Sequence, residues 1–186
     1  ETNILLCYSG GTSAWQRLRD IVLLLKRICL ADARCKALFL TTGQGEVSRR
    51  LKDEQFPANQ AIVLGAAHNE VHRYLSAADV GLIMRHDTTV NNVASPVKVG
   101  EYLVCGLPVI LSRGIGDYST MLPAAGVGML LDESGDMCDQ ILQFIHRDNF
   151  SALRDEAIHF ANSKLTMSSN LNQYRSLYAN DSRIGA

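Results

Sequence analysis

The chain has 186 residues, 47% of them hydrophobic and 20% charged, and this length corresponds to one domain with a substantial core. The 18 Lys and Arg residues against 19 Asp and Glu give a formal net charge of −1. Because nonspecific affinity for nucleic acid needs a concentrated basic face, a nucleic-acid-binding protein is not expected. The longest apolar run, residues 21–25, is far shorter than the roughly 20 residues that span a bilayer, so no transmembrane segment is expected either.

The cysteines and histidines suggest neither a disulfide framework nor a metal site. Five cysteines are scattered without a C-x-x-C pair, and we expect them to be reduced. His68 and His72 stand four residues apart on a predicted helix, but no third ligand is near them in sequence. We therefore expect no bound metal.

Apolar runs rich in branched residues alternate with segments of helical periodicity. The apolar runs predict six strands, at residues 3–8, 37–41, 61–64, 80–84, 109–112 and 128–131. The periodic segments predict one helix from residue 15, a second that ends near residue 55, and others at about 70–77, 96–105, 136–146, 150–163 and 170–178. Residues 85–94 are expected to form a polar loop.

Several residues predict where helices begin and end. Thr12 or Ser13 is the expected N-cap of the first helix. Pro96 suits the first turn of the helix that follows the polar loop, and Gly106 suits the position just after that helix ends. Asp117 is expected to cap a short helix after the fifth strand.

The alternation of strands and helices predicts an α/β fold, a Rossmann-like, doubly wound parallel sheet of about six strands with helices on both faces. Such sheets bind ligands at the carboxyl ends of their strands. We find no linker or repeat, so residues 1–186 are expected to form a single domain with a helical tail from about residue 163 to residue 186. Since Glu1 leads almost directly into an apolar strand, the chain is expected to be a fragment of a larger protein, cut at a domain boundary.

A glycine-rich turn, Gly10-Gly11-Thr12-Ser13, follows the first predicted strand and precedes a helix. Two glycines let the backbone approach a ligand closely, and the free amides at a helix start attract an anion such as phosphate. The alternative is an ordinary strand-to-helix turn. A second turn, at residues 43–45, lacks the third glycine of a dinucleotide fingerprint and the acid about 20 residues later, so it gives little support for a nicotinamide cofactor.

Lys98 and Glu101 stand three residues apart at the start of the helix that follows the polar loop. A carboxylate there can accept both hydroxyls of a ribose, and a lysine can offset phosphate charge. Arg85, at the end of the fourth predicted strand, faces the same loops. The alternatives are a surface ion pair between Lys98 and Glu101 and a solvated charge on Arg85.

Residues 95–110 follow the pattern S-P-x-K-x-x-E-Y-L-x-x-G-x-P-V-I, which resembles the donor-site helix of retaining GT-B glycosyltransferases of the family 4 type. The resemblance extends over roughly residues 3–145. Residues 8–11 and 15–16 resemble the opening strand and loop of that family's C-terminal domain. Residues 40–45 resemble its second strand and glycine turn, and residues 74–80 resemble the segment that leads into its fourth strand.

The resemblance implies a set of residues that bind the donor substrate. Glu101 would hold the ribose of a nucleotide, the glycine turn would lie against the diphosphate, and the loop at residues 65–68 would meet the base through its backbone. Residues 91–95 would face the hexose. The donor-binding residues so implied are Gly10, Gly11, Thr12, Ala66, Ala67, His68, Asn91, Asn92, Val93, Ser95, Pro96 and Glu101, with Arg85 and Lys98 as the catalytic cations.

The chain departs from the family pattern at the positions that usually carry charge. The first glutamate of the usual E-x7-E pattern falls on Val93, so sugar recognition is expected to differ. The Arg and Lys that often follow the first strand fall on Gly11 and Gln16. Diphosphate charge would then be met by Arg85, Lys98 or Arg17 together with backbone amides.

The resemblance implies the donor-binding, C-terminal half of a GT-B glycosyltransferase. The whole enzyme would move a hexose, with retention, from a UDP- or GDP-sugar to a glycan or lipid-linked acceptor, without a metal or other cofactor. Its N-terminal acceptor domain is absent from this chain, which is therefore expected to bind a donor without turnover. Family members often build surface polysaccharides, which implies a cytoplasmic location, with or without peripheral attachment to the inner face of a membrane.

Two other classes of function stay open at the level of sequence. One is a noncatalytic α/β module that binds a phosphorylated ligand or a protein partner; its receiver-type form needs acids after the first strand, and residues 8–11 supply none. The other is a sugar-nucleotide epimerase of the same architecture, which needs an acid pair across its cleft. The glycosyltransferase interpretation requires that the carboxylate of Glu101 and the glycine turn lie at one rim of the sheet.

Overall fold

The computed structural model describes residues 3–166 together with Leu171 and Arg175. Within these residues the strands are β1 (Ile4–Ser9), β2 (Cys35–Leu40), β3 (Ala61–Leu64), β4 (Val80–Ile83), β5 (Val109–Leu111) and β6 (Gly128–Leu130). The α-helices are α1 (Leu18–Ala31), α2 (Gln44–Asp53), α3 (Val71–Leu75), α4 (Thr89–Val93), α5 (Val97–Val104), α6 (Tyr118–Ala124), α7 (Met137–Ile145) and α8 (Leu153–Lys164). None of the helices that the structure describes has the length and hydropathy needed to cross a membrane.

The strands form one sheet in the order β3-β2-β1-β4-β5-β6, and every neighbouring pair is parallel. This arrangement confirms the predicted parallel sheet of about six strands. The chain changes direction across the sheet between β1 and β4, which are adjacent although two strands separate them in sequence. Sheets of this kind bind ligands outside the carboxyl ends of the strands at that switch point.

Helices cover both faces of the sheet, as predicted. Side chains of β1 alternate between the faces: Leu6 and Tyr8 pack in a core with α1 and α7, whereas Cys7 packs in a second core with α5, α6 and α8. Both cores are apolar and extensive, and each fully buried Leu or Ile side chain contributes about 1.5–3 kcal/mol. The sheet is therefore a rigid platform for the loops at its edges.

The five cysteines are free thiols, and four of them are buried. Burial raises the pKa of the Cys7, Cys29 and Cys35 thiols to about 12, because the thiolate would lose its hydration. These side chains pack as small hydrophobic groups with little thiolate character.

The predicted N-cap of the first helix is wrong. The chain first forms a 3-10 turn, Ala14–Gln16, and α1 begins only at Leu18. The residue between them, Arg17, adopts φ 47° and ψ 39°, the left-handed region, and takes the N-cap position. Ser13 precedes the 3-10 turn but its side chain makes no capping hydrogen bond. An isolated left-handed arginine leaves no pattern in the sequence that could have predicted this break.

The predicted polar loop at residues 85–94 contains a short helix, α4. Thr88 caps it, since its hydroxyl oxygen accepts a hydrogen bond from the Asn91 amide at 3.3 Å. Its apolar residues, Val90 and Val93, are 76% and 80% exposed, so hydrophobic periodicity gave no reason to expect a helix.

The other predicted helix ends have mixed outcomes. Pro96 takes the N-cap position of α5, and Gly106 follows its end at φ 82°, a conformation that favours glycine. Asp117 takes the N-cap position of α6, but its side chain makes no capping hydrogen bond. The predicted helix at 170–178 lies outside the described residues except for Leu171 and Arg175, which are helical.

We predict that Gly81→Ala lowers the free energy of unfolding by about 1–3 kcal/mol, the usual cost of overpacking a core. A Cβ on Gly81 would lie 2.5 Å from Cδ2 of the buried Tyr102 ring. The control is Gly45→Ala in α2, where a Cβ meets no atom within 4 Å and stability should hold or rise. Urea unfolding of both variants is the measurement, and equal stability would contradict the packing described.

Candidate functional site

A cavity of about 310 Å³ opens at the carboxyl ends of β1 and β2, beside the start of α3 and the middle of α5. We call it the rim cavity. It is lined by Ser9, Gly10, Gly11, Leu40, Thr41, Thr42, Ala66, His68, Val71 and Glu101. The sequence interpretation required Glu101 and the glycine turn to lie at one rim, and in the structure both line this cavity.

Tyr102 fixes α5 against the end of β1. Its side chain is fully buried, and its hydroxyl oxygen accepts a hydrogen bond from the Ser9 amide at 2.6 Å. The ring lies against Gly81 of β4, where a side chain larger than hydrogen would collide with it. Burial raises the pKa of the Tyr102 phenol well above its usual range, so this group stays neutral. Glu101, the preceding residue, is thereby held beside the glycine turn.

The hydroxyl of Tyr8 contacts the glycine turn. It donates a hydrogen bond to the Gly11 carbonyl oxygen at 2.6 Å and lies 2.5 Å from Oε1 of Gln16. A Cβ on Gly10 would collide with Oε1 of Gln16, the hydroxyl of Tyr8 and Nζ of Lys98. Glycine is therefore the residue that lets the backbone, the amide and the ammonium group share this space.

Lys98 brings a positive charge from α5 to the glycine turn. Its Nζ donates a hydrogen bond to Oε1 of Gln16 at 3.1 Å and lies 5.9 Å from the centre of the Tyr8 ring. Burial and the nearby charge of Arg85 both lower the pKa of Lys98. Among the described residues no ion pair joins Lys98 to Glu101, so the alternative of a surface pair does not describe this structure.

The two other candidate cations differ in how they are held. Arg85 lies two residues after the end of β4, and its amide donates a hydrogen bond to the hydroxyl of the buried Ser112 at 2.8 Å. Arg17 forms ion pairs with Asp20 and Glu133, each at 2.8 Å. The guanidinium of Arg17 is thus already neutralised by two carboxylates, which leaves Arg85 and Lys98 as the cations close to each other at the switch point.

The residues expected to face a hexose lie largely elsewhere. Asn92, Val93, Ala94 and Ser95 line a separate cavity of about 160 Å³, the α4 cavity, with residues 115–118, Met121 and Leu165. The loop at residues 114–116 packs against the α4 segment so closely that a Cβ on Gly114 would lie 2.6 Å from the His86 carbonyl oxygen.

Three further predicted residues have other surroundings. Asn91 is buried, and its side-chain amide donates a hydrogen bond to the His86 carbonyl oxygen at 2.8 Å. Pro96 is buried at the start of α5. Thr12 and Ala67 line neither the rim cavity nor the α4 cavity.

Sequence reasoning missed several residues that build the rim cavity. Thr41 and Thr42 follow β2 and line the cavity, and the rule that pointed to the turn after β1 applies equally to them. Tyr102 was missed because its hydrogen-bond partner is 93 residues away in sequence. Within the described residues, no three His, Cys, Asp or Glu side chains gather into a possible metal site.

The family model described as glycosyl transferases group 1 matches residues 4–147. No curated protein sequence matches the chain.

Several solved structures share the fold. A mutant of S. aureus TarM, in complex with Fondaparinux, alpha-GlcNAc-glycerol and UDP, is 14% identical with a TM-score of 0.74, over 96% of this chain and 36% of TarM. The pneumococcal O-GlcNAc transferase GtfA, in complex with UDP and GlcNAc, is 14% identical with a TM-score of 0.72, over 95% of this chain and 35% of GtfA. The C-terminal domain of the glycosyl transferase group 1 family protein LpcC from Francisella tularensis is 12% identical with a TM-score of 0.70, over 89% of this chain and 88% of that domain.

At these identities the structural likeness shows the fold, which is the α/β Rossmann-like fold predicted from the sequence. The chain spans about a third of the length of TarM and of GtfA. The family model, in contrast, matches most of the chain on sequence. This protein therefore belongs to the glycosyl transferases group 1 family.

Proposed function

We propose that this chain is the donor-binding half of a glycosyltransferase and that the rim cavity binds a nucleoside diphosphate sugar. The observation that carries the proposal is that the carboxylate of Glu101 and the Gly10-Gly11 backbone line one cavity, with the ammonium group of Lys98 against Gly10. These are an acceptor pair for a ribose, the Gly11 amide for phosphate oxygens and a cation for the diphosphate charge. The Gly10 amide already donates a hydrogen bond to the Leu40 carbonyl oxygen at 3.0 Å.

Each part of the donor has a matching group. The carboxylate of Glu101 has no ion-pair partner among the described residues, so both its oxygens can accept hydrogen bonds from the two ribose hydroxyls. Because Gly10 and Gly11 have no side chains, a diphosphate can approach the backbone closely enough to accept a hydrogen bond from the Gly11 amide. Ala66 and His68, at the other side of the cavity, would lie beside the base.

Lys98 would supply the charge that the loop after β1 lacks. Relatives of the family 4 type often have an Arg and a Lys in that loop, and here those positions hold Gly11 and Gln16. Nζ of Lys98, which belongs to α5, contacts Gln16 in that loop. A positive charge from α5 therefore lies beside one of the two positions that usually carry the charge. Together with Arg85 it would stabilise the diphosphate as negative charge develops on it during departure from the sugar.

The sugar would be recognised differently from the common pattern. Val93 stands where the usual first glutamate would be, and it is 80% exposed and lines the α4 cavity. We propose that the sugar is a hexose, held by polar groups of residues 92–95, and that transfer proceeds with retention as in the family 4 type. The UDP complexes of TarM and GtfA favour UDP as the nucleotide, with GDP as the alternative.

The whole protein would be larger than this chain. We propose that an N-terminal domain binds a glycan or lipid-linked acceptor, as in other two-domain GT-B enzymes, and that the enzyme builds a polysaccharide in the cytoplasm, with or without attachment to the inner face of a membrane. The 186 residues alone would then bind a donor without turnover, since half of the catalytic cleft belongs to the other domain.

The direct test is calorimetry with UDP, GDP and ADP on the 186-residue chain and on Glu101→Ala. We expect one of the diphosphates to bind, and Glu101→Ala to weaken that binding by about 1.5–3 kcal/mol, the range for lost hydrogen bonds to a charged group. The control is Glu156→Ala on the exposed surface of α8, which should bind as the parent does. A folded chain that takes up none of the three nucleotides would refute the proposal, and an unchanged affinity of Glu101→Ala would remove Glu101 from the site.

A second prediction separates the electrostatic role of Lys98 from a structural one. Lys98→Met keeps the side-chain length but removes a half-buried charge whose pKa is lowered by burial and by Arg85. Because a lowered pKa means that folding makes the charged form of Lys98 less favourable, removing the charge should leave thermal stability near neutral pH unchanged or raise it. Affinity for the diphosphate should fall about tenfold or more, as expected for a lost charge-assisted contact.

Lys52→Met, on the exposed surface of α2, is the matched control and should change neither quantity. If Lys98→Met instead lowered the melting temperature and left nucleotide affinity intact, Lys98 would be a structural residue.

A further inference from the structure

A large cavity lies at the opposite end of the sheet from the rim cavity. It is formed where the amino ends of β1, β4 and β5 meet the connection between α7 and α8, and its volume is about 570 Å³. We call it the basal cavity. Since β1 has six residues that rise about 3.3 Å each, roughly 20 Å separates the two cavities, and they share no lining residue.

The basal cavity is lined by more positive than negative side chains. Arg34, Arg147 and Arg154 line it, together with His146 and with Asp79 as its acidic member. Oδ2 of Asp79 already accepts a hydrogen bond from the Leu5 amide at 2.7 Å. Asp32 pairs with Arg34 and His146, so Asp79 is the carboxylate of the wall that stands against Arg147 and Arg154.

Arg147 and Arg154 have no carboxylate within ion-pair distance in the part of the chain that the structure describes. Arg34 differs from them, since it pairs with Asp32 at 2.8 Å. Arg154 donates hydrogen bonds to the Ser76 carbonyl oxygen at 2.6 Å and to the Ala78 carbonyl oxygen at 3.4 Å, and these two contacts use two of the five N–H donors of its guanidinium.

Arg147 holds an unsatisfied buried donor. Its Nε is buried and has no hydrogen-bond partner in the described residues, while its guanidinium stacks over the Phe144 ring at 4.4 Å. Its best other contact is Nη2 to the Gly126 carbonyl oxygen at 3.4 Å. Buried donors of folded proteins are nearly always paired, with protein, water or a ligand, and the described residues offer no acceptor to Nε of Arg147.

We propose that the basal cavity binds a phosphate-bearing anion, held by the guanidinium groups of Arg147 and Arg154. Planar guanidinium groups match the tetrahedral oxygens of phosphate with paired hydrogen bonds. A phosphorylated small molecule and a phospholipid headgroup present the same chemistry to these arginines. The proposal does not depend on the function proposed for the rim cavity.

The test is a titration of the 186-residue chain with inorganic phosphate at low, constant ionic strength, followed by the N–H signals of the arginine Nε groups in nuclear magnetic resonance spectra. Arg147→Gln assigns the Arg147 signal by its disappearance. We expect phosphate to shift that signal in a saturable way, whereas equal concentrations of chloride do not. A phosphate titration that leaves the Arg147 signal in place would overturn the proposal, whatever binds at the rim cavity.

Variants give an independent measurement of the same site. Calorimetry with phosphate should show an affinity about tenfold lower for Arg154→Gln, the loss expected for one charge-assisted hydrogen bond. Arg49→Gln, on the exposed surface of α2, is the control and should bind as the parent does. Equal phosphate affinity of these two variants would also overturn the proposal.

The source of the phosphate is identified by comparing two ligands. Glycerol phosphate in solution is tested for the shift of the Arg147 signal. Vesicles of phosphatidylglycerol, with phosphatidylcholine vesicles as the reference, are tested for cosedimentation that Arg147→Gln abolishes. A soluble ligand predicts the effect with glycerol phosphate alone, and a headgroup site predicts it with the anionic vesicles. If neither ligand gives an effect that depends on Arg147, the result contradicts the proposed site.

Discussion

The contact between Tyr102 and the ends of two adjacent strands is the constraint on which the rim cavity depends. The hydroxyl of Tyr102 is bonded to the amide of Ser9 at the end of β1, and its ring fills the space above Gly81 in β4. One side chain therefore fixes α5 to both strands at the point where the sheet changes direction. Glu101, which precedes Tyr102, lies at the cavity as a direct result, and Lys98, one helical turn before Tyr102, reaches the glycine turn.

This arrangement places the positive charge of Lys98 where it does not stabilise the folded protein. The pKa of Lys98 is lowered by burial and by Arg85, so its ammonium group is poorly solvated and repelled by a second cation. Arg17, in contrast, has two carboxylate partners. Proteins tolerate unbalanced charge mostly at functional sites, and an anionic ligand at the glycine turn would supply the missing negative charge.

The sequence predicted the sheet well because its strands are near-continuous apolar runs, the pattern of a parallel sheet buried on both faces. Pro96 and Gly106 bounded α5 correctly because each has a backbone preference that acts locally. The start of α1 was mispredicted because Arg17 adopts a left-handed conformation that arginine rarely takes. Helix α4 was missed because its valines face outward, so its pattern resembled a loop.

The geometry of the candidate site was predictable where it depends on position along a strand and not where it depends on contacts between distant elements. The turn after β1 could be found because ligands of such sheets collect at strand ends. The role of Tyr102 and the reach of Lys98 to Gln16 could not be found, since these partners are 93 and 82 residues apart. Residues 92–95 line the α4 cavity because the loop at Gly114 packs closely against the backbone of His86. The hydrophobic periodicity of the sequence does not encode this contact between two loops.

A crystal structure of the chain grown with UDP, or with GDP if calorimetry selects it, tests the central claim most directly. The account predicts the diphosphate against Gly10 and Gly11 with an oxygen within hydrogen-bond distance of Nζ of Lys98, and both ribose hydroxyls on the carboxylate of Glu101. A nucleotide bound with its ribose away from Glu101, or seated only in the basal cavity, would contradict it.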